Sequence, residues 1–543
     1  MTKQEDTPLD IVIVGAGFAG MYAIWKFQQT GLTFRVIEAG HDVGGTWFWN
    51  RYPGARCDIT SMEYSYSFSA ELQQEWEWTE IMAAQPEILS YANHVAERFN
   101  LRDHIDFNTR VTGAHYLEDE NLWEVTTDTG VTYRARFCVM ATGCLSVPNT
   151  PGIEGQDAFA GDVLHTGNWP SEGYDLGGKK VGIIGTGSSG VQAIPVIAQQ
   201  AEHLTVLQRT PNYNMPANNK PLPADYRALI KDNYDQVRQE QRYAQIGVSE
   251  FSRGLGGLGS YAEPTESILQ TSEESRRRAL DELGFESIRR YADLALSEEA
   301  NELACAMFRE QVSRIVNDPE TAEGLMPRDY PIGCKRPVID IGYYETYNRE
   351  NVTLVDLRRG GIEQITPTGV QTAQGNYEFD VLIYATGFDA MTGALQRMDI
   401  QGRGGTKLLD HWNHGPKTYL GLQMSGFPNL FTVTGPGSPS VLSNMLVSIE
   451  QHIDWISDCI NHLDQIGAAT IEPTPDAEDD WVRHVFEMAQ GTMLTAESCN
   501  SWYLGANIPG KPRIFMPYVA GVGPYREHCE QVVAAGYTGF RID

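Results

Sequence analysis

The chain has 543 residues, enough for two or three domains with ample core. Hydrophobic residues make up 41% and charged residues 21%, ordinary for a soluble globular protein, and no apolar run reaches the 18 residues of a membrane span. The net charge of −30 disfavours nucleic acid and anionic membranes as partners, so an anionic ligand would need locally gathered cations.

The first ten residues lack the apolar core of a signal peptide. Eight cysteines are scattered without C-x-x-C or C-x-x-x-x-C spacing. The scatter predicts free thiols in a reducing cytoplasm and argues against a zinc site or a redox-active dithiol. The 12 histidines are dispersed with no H-E-x-x-H run, so no catalytic metal is expected.

In chain order, Ile11-Val12-Ile13-Val14 reads as a buried strand. It enters Gly15-Ala16-Gly17-Phe18-Ala19-Gly20 and a helix over 21–29. The next strand, 34–37, ends on Glu38, 18 residues after Gly20. The three glycines serve a tight turn, a close backbone approach to pyrophosphate, and helix–strand packing. Glu38 suits ribose hydroxyls and would repel a 2′-phosphate. Residues 44–58, rich in Gly and aromatic side chains, read as a loop rather than a regular helix. Such a loop can cover a flat isoalloxazine ring, with polar groups from Thr46 and Asp58. Residues 122–127 and 131–133 alternate around Asp128-Thr129-Gly130 as a hairpin. A buried strand then ends in Ala141-Thr142-Gly143, and 143–152 reads as a linker.

A second strand–glycine–helix unit follows: an apolar strand over 181–184, Gly185-Thr186-Gly187-Ser188-Ser189-Gly190, and a strand over 204–208 capped by Arg209. Arg209 lies 19 residues after Gly190, nearly the spacing of Glu38 in the first unit. Arginine grips a phosphate bidentately and stacks on adenine, so the first site suits FAD and the second NADPH. Residues 211–325 read as a helical insertion. It has a flexible loop over 254–259, a capping box in Thr271-Ser272-Glu273-Glu274 opening a helix through Leu283, and a helix from Ser297 towards Val316. Lys335-Arg336 then sit in a Gly/Pro-framed loop. A strand over 352–355 and another over 381–384 lead into Ala385-Thr386-Gly387, an echo of Ala141-Thr142-Gly143. The echo implies that the second domain closes and the chain re-enters the first. Beyond it come a Gly/Pro/Ser loop over 435–440, a helix over 441–460, and a loop holding Trp502.

These landmarks frame a fingerprint, F-x-G-x-x-x-H-x-x-x-W-P, met by Phe159, Gly161, His165, Trp169 and Pro170. With both glycine loops, residues 44–58, Lys335-Arg336 and 385–389, the sequence resembles the type I Baeyer–Villiger monooxygenases over essentially its whole length. It is most similar to the phenylacetone monooxygenase group. The resemblance implies an α/β fold of two Rossmann-like dinucleotide-binding domains, for FAD and NADP, with a helical insertion in the latter. The FAD domain would comprise 1–143 and 387–543, the NADP domain 144–210 and 326–386, and the insertion 211–325.

The resemblance also assigns roles. Arg336 is the catalytic arginine, holding a flavin-bound peroxide anion for attack on a ketone, and Asp58 is its acidic neighbour. FAD would meet Gly15, Gly17, Phe18, Gly20, Glu38, Gly45, Thr46, Trp47, Asp58, Tyr64, Val111 and Met445. NADP would meet Arg56, Cys57, Gly185, Thr186, Gly187, Ser188, Ser189, Gly190, Arg209, Thr210, Lys335, Arg336 and Trp502. Val441 and Leu442 would line an apolar substrate pocket. His165 and Trp169 would be interdomain linker residues rather than proton carriers. The implied partners are a small ketone and dioxygen, with no nucleic acid or membrane, in a cytoplasmic monomer or weak homo-oligomer.

Three rivals remain. A nitrogen- or sulfur-oxidising flavin monooxygenase would lack the Trp169-Pro170 ending. A disulfide reductase would need a cysteine pair. A non-enzymatic flavin binder would need neither Arg209 nor Lys335-Arg336.

Overall fold

The computed structural model describes residues 7–254 and 264–543. One eight-stranded sheet runs Asp399–Gln401, Val111–Leu117, Leu122–Thr127, Thr132–Met140, Leu9–Val14, Phe34–Ile37, Ile105–Asp106, with Leu430–Thr432 also pairing on Thr132–Met140. The shared strand serves two neighbours in succession. Its first half pairs antiparallel with Leu122–Thr127, and its last residues, from Cys138 to Met140, pair parallel with Leu430–Thr432. The second sheet is wholly parallel, in the order Val352–Asp356, His203–Gln208, Lys180–Ile184, Val381–Tyr384, Asp162–His165. Each sheet therefore takes strands from two separate stretches of chain, as the repeated Ala-Thr-Gly implied.

The central strands are buried on both faces, which is why they read as apolar runs rather than alternations. Ile11 and Ile13 face the helices Phe18–Phe27 and Met445–Ile466, while Val12 and Val14 face a second cluster around Trp123 and Trp412. Residues 131–133 and 137–140, read apart in the sequence, belong largely to the one strand Thr132–Met140. A short helix, Thr46–Trp49, interrupts the loop expected over 44–58. The helix expected from Val441 starts at Met445, where the Asn444 side chain accepts the Leu446 N–H, and runs on to Ile466 before Gly467 at φ +71°. Ser440–Leu442 forms a separate 3-10 turn before it.

In the insertion, Ser272 rather than Thr271 caps Glu273–Leu283, accepting the Ser275 N–H, while Thr271 donates back to the Ser267 carbonyl. Ser297 caps Glu298–Ile315 as expected. The glycine-rich loop over 254–259 lies, beyond its first residue, outside the described residues.

One expectation is overturned. Cys334 and Cys499 form a disulfide, with Cα atoms 6.0 Å apart across 165 residues of sequence. The remaining six cysteines are free and buried. Sequence spacing cannot report a pairing that only the approach of two distant loops creates. Among the described residues no helix is long and apolar enough to cross a membrane.

Candidate active site

The two glycine loops are built alike. Gly15 and Gly185 lie at φ +104° and +107°, and a Cβ on either would meet the carbonyl oxygen of Ala141 at 2.6 Å or of Ala385 at 2.5 Å. The Ala-Thr-Gly echo is thus a packing requirement: each loop turns directly against the end of the neighbouring strand. Gly20 and Gly190 press the helices onto their own strands, where a Cβ would stand 1.9 and 2.4 Å from the Gly15 and Gly185 carbonyls. Neither lines the cavity, so their contribution to a ligand is indirect. Gly17 and Gly187 sit at the helix N-termini with no side-chain cap, leaving first-turn N–H groups for an anion. A Cβ on Gly187 would meet nothing within 4 Å, whereas Gly17 lies against Gly45, its Cβ position 3.3 Å from the Gly45 Cα. Residues 44–58 therefore rest directly on the first glycine loop.

Both loops open into one cavity of about 2080 Å³. At the end of Phe34–Ile37, Glu38 is almost fully buried. Its carboxylate accepts the Ala16 N–H at 2.7 Å and the Gly40 N–H at 2.6 Å. Burial pushes its carboxyl up, against the opposing pull of those amides. The corresponding position of the second unit holds exposed Arg209, across from half-buried Lys335. Burial first, and the Arg209 charge second, lower the Lys335 ammonium to about 8. Its nitrogen lies 4.4 Å from the Tyr330 ring centre. Among the described residues neither cation has a carboxylate partner, which fits a site for a phosphate.

Arg336 follows Lys335 in the same loop and turns the other way. Its Nε lies 2.6 Å from Asp58 Oδ2, and one terminal nitrogen donates to the Val441 carbonyl at 2.8 Å. Asp58 closes the segment that rests on the first glycine loop, so this ion pair joins the two halves of the site. Cys57 is buried beside it, its thiol pushed up by burial and then by Asp58. Arg56 lines the cavity, but its guanidinium is engaged by Glu80 and the Met82 carbonyl, so its charge is directed away from a nucleotide. Trp47 donates from its indole to the Tyr64 hydroxyl at 3.1 Å. Both line the cavity with Phe18, Gly45, Thr46, Val111 and Met445.

On the second unit's side the lining includes Thr186, Ser188, Ser189, Thr210 and Trp502. Thr186 donates to the Thr210 carbonyl at 3.1 Å, closing that rim. Val441 lines the cavity, but Leu442 does not. In a 3-10 turn successive side chains diverge by about 120°, and Leu442 packs against the core of the second sheet. The His165 ring is hydrogen-bonded at both nitrogens: its Nδ1 accepts the Gly167 N–H at 2.9 Å, its Nε2 faces the Asn149 carbonyl at 3.3 Å, and burial lowers its pKa.

Sequence reasoning missed Gln192. Buried on the second glycine-loop helix, it accepts from Tyr52 at 2.8 Å and donates to the Arg56 carbonyl at 3.1 Å, bracing the segment of Asp58 against that helix. A lone polar residue inside the apolar stripe of Val191, Ala193 and Ile194 was the available signal. The cysteine pair left none.

Two glycine-floored helix N-termini, an acid at one strand end and paired cations at the other fit a flavin dinucleotide and a 2′-phosphorylated nicotinamide dinucleotide. Known proteins agree. The model for the pyridine nucleotide-disulphide oxidoreductases matches residues 12–250. A Baeyer–Villiger monooxygenase from Pseudooceanicola batsensis is 42% identical over 550 residues, covering 100% of this chain and 98% of the relative. Among solved structures, an oxidised steroid monooxygenase bound to NADP is 50% identical, with 99% of both chains covered and a TM-score of 0.90. OTEMO in complex with FAD and NADP is 39% identical, covering 99% of this chain and 100% of that one, with a TM-score of 0.90. The chain belongs to the Baeyer–Villiger monooxygenase family.

Proposed function

We propose that Arg336 is the fixed cation of a Baeyer–Villiger oxygenation, in which one atom of dioxygen is inserted beside a ketone carbonyl to give an ester or lactone. The enzyme is FAD- and NADPH-dependent. Bound FAD would supply the activation of dioxygen, once hydride from NADPH has reduced the flavin.

The chain's own contribution is electrostatic. Oxygen insertion builds negative charge on oxygen before a carbon migrates, and a preorganised cation stabilises that charge. A guanidinium is suited to this because it keeps its proton. Asp58 and the Val441 carbonyl hold two different nitrogens of Arg336 and so fix its plane. The Val441 side chain meanwhile lines the cavity. One residue therefore borders the ketone's apolar part and anchors the catalytic cation. Arg209 and Lys335 hold the 2′-phosphate, which selects NADPH over NADH. Trp502 and residues 44–58 cover the nucleotides and keep water from the reacting atoms.

The division into FAD, NADP and insertion segments follows the boundaries given above, supported by the separate strand sets of the two sheets. The proposed setting is the cytoplasm, with the enzyme as a monomer or weak homo-oligomer; the six free cysteines favour a reducing compartment.

The Arg336–Asp58 ion pair carries this reading. Arg336→Ala is expected to remain yellow with bound FAD and to oxidise NADPH, but to lose product formation by at least about 10²-fold. Chromatography of ester or lactone product, set against NADPH consumption, makes the measurement. Product formation at the unsubstituted rate would remove Arg336 from this role.

A further inference from the structure

The Cys334–Cys499 disulfide lies where two cavity-lining segments meet. Cys334 immediately precedes Lys335 and Arg336. Cys499 stands between Ser498 and Asn500, which line the cavity with Trp502 three residues on. Both cysteines are fully buried in the second core. The segment after Cys499 is tied down mainly from its far side. Met516 donates to the Tyr503 carbonyl at 2.9 Å, Ile514 to the Leu504 carbonyl at 3.1 Å, and Gly437 to the Met516 carbonyl at 2.7 Å. The Asn507 side chain donates to the Phe388 carbonyl at 2.9 Å, and Lys511 pairs with Asp389. Towards the arginine loop, the covalent tie at the segment's near end is the disulfide, and the Tyr503 side chain also reaches the Arg336 backbone.

We propose that Cys334 and Cys499 form a reversible redox site that takes hydrogen peroxide as oxidant and a dithiol as reductant, and whose disulfide form fastens the Trp502 segment to the arginine loop. The chemistry balances without a further reactant. One thiol attacks the peroxide O–O bond, giving a sulfenic acid and one water; the second thiol displaces the hydroxyl, forming the S–S bond and releasing a second water. Two thiols lose two electrons and two protons, and the peroxide takes both. Reduction reverses this by exchange, the dithiol leaving as its own disulfide.

Cys57 and Cys144 also line the cavity, but neither has a disulfide partner. A facing thiol that traps the sulfenic acid distinguishes the 334–499 pair. Hydrogen peroxide is what an oxygen-activating cavity releases when its cover is loose, so the oxidant arises where the fastening is needed. That source rests on the proposed function; the thiol chemistry does not.

The test uses the holoenzyme with NADP⁺ bound. Alkylation after denaturation should find six thiols in the oxidised protein and eight after treatment with dithiothreitol. Hydrogen peroxide added to the reduced protein should restore six, while Cys499→Ser should stay at seven. NADP⁺ release, followed without ketone or turnover, should be at least threefold faster in reduced protein and in Cys499→Ser than in the disulfide form. The reduced unsubstituted protein gives the same comparison should the variant fail to fold. Eight thiols after peroxide treatment, or equal release rates in the two redox forms, would overturn the proposal. Neither readout depends on ester formation, so failure of the oxygenation reading would show separately.

Discussion

Lys335 is held below its ordinary range by burial and by Arg209, at about 8. The consequence is a pH dependence of nucleotide recognition. On the proposed reading, in which the charged form binds the 2′-phosphate, affinity is expected to be greatest below about 8 and to fall as pH rises through that value, by up to about tenfold per pH unit. For folding the same shift has the opposite sense. Between about 8 and the ordinary lysine value of about 10.4 the unfolded chain binds the proton that the folded chain has lost, so this group's penalty on stability is relieved as pH rises. Titration of NADPH affinity between pH 6.5 and 9.5 checks the first effect: Lys335→Met should flatten the fall. Arg336 and Asp58 show how little side-chain identity alone settles. Their types are legible in sequence, but the 2.6 Å contact and the Val441 anchor are not.

Among the elements, residues 44–58 have the most exacting fit. Gly54 lies at φ +82°, and a Cβ there would stand 2.2 Å from the Gln192 carbonyl. The turn must therefore be both left-handed and bare for Tyr52 and Arg56 to reach Gln192. Gly54→Ala is expected to cost about 3 kcal/mol, combining a strained backbone with an overpacked contact. The urea midpoint should fall accordingly, and FAD should dissociate more readily, because the same segment rests on the first glycine loop through Gly45. The two glycine-loop helices tell the complementary story. Their N-termini were legible from the glycine spacing, since strand, tight turn and helix packing are local demands. The start of the helix Met445–Ile466 was not, because apolar Val441 and Leu442 belong to a separate turn, where both touch the same core cluster and only Val441 also lines the cavity.

For the whole molecule, the disulfide closes a loop of 165 residues, and the chain-entropy model assigns such a closure about 5 kcal/mol. Divided by the unfolding entropy of a chain this long, that is a shift of about 4 °C in Tm. Calorimetry should find reduced enzyme melting lower by about that amount, with Cys499→Ser matching it and showing no further response to dithiothreitol. The strands of the second sheet, within 162–384, all lie between the two stretches that supply the first, so the first sheet takes its last strands only after the chain has passed through the whole of the second. An effect on the second sheet should therefore reach FAD binding on the first.

By itself the sequence determined the local machinery. Two glycine loops, an acid and an arginine at matched strand ends, and repeated Ala-Thr-Gly strand exits follow from short-range sterics and charge, which a linear pattern records. The tertiary structure decided what depends on the approach of distant segments: the Arg336–Asp58 pair, the Gln192 brace, the turning of Arg56 onto Glu80, the exclusion of Leu442 from the cavity and the joining of Cys334 to Cys499. No spacing encodes those contacts, because each depends on how packing orients two pieces of backbone that the chain itself keeps far apart.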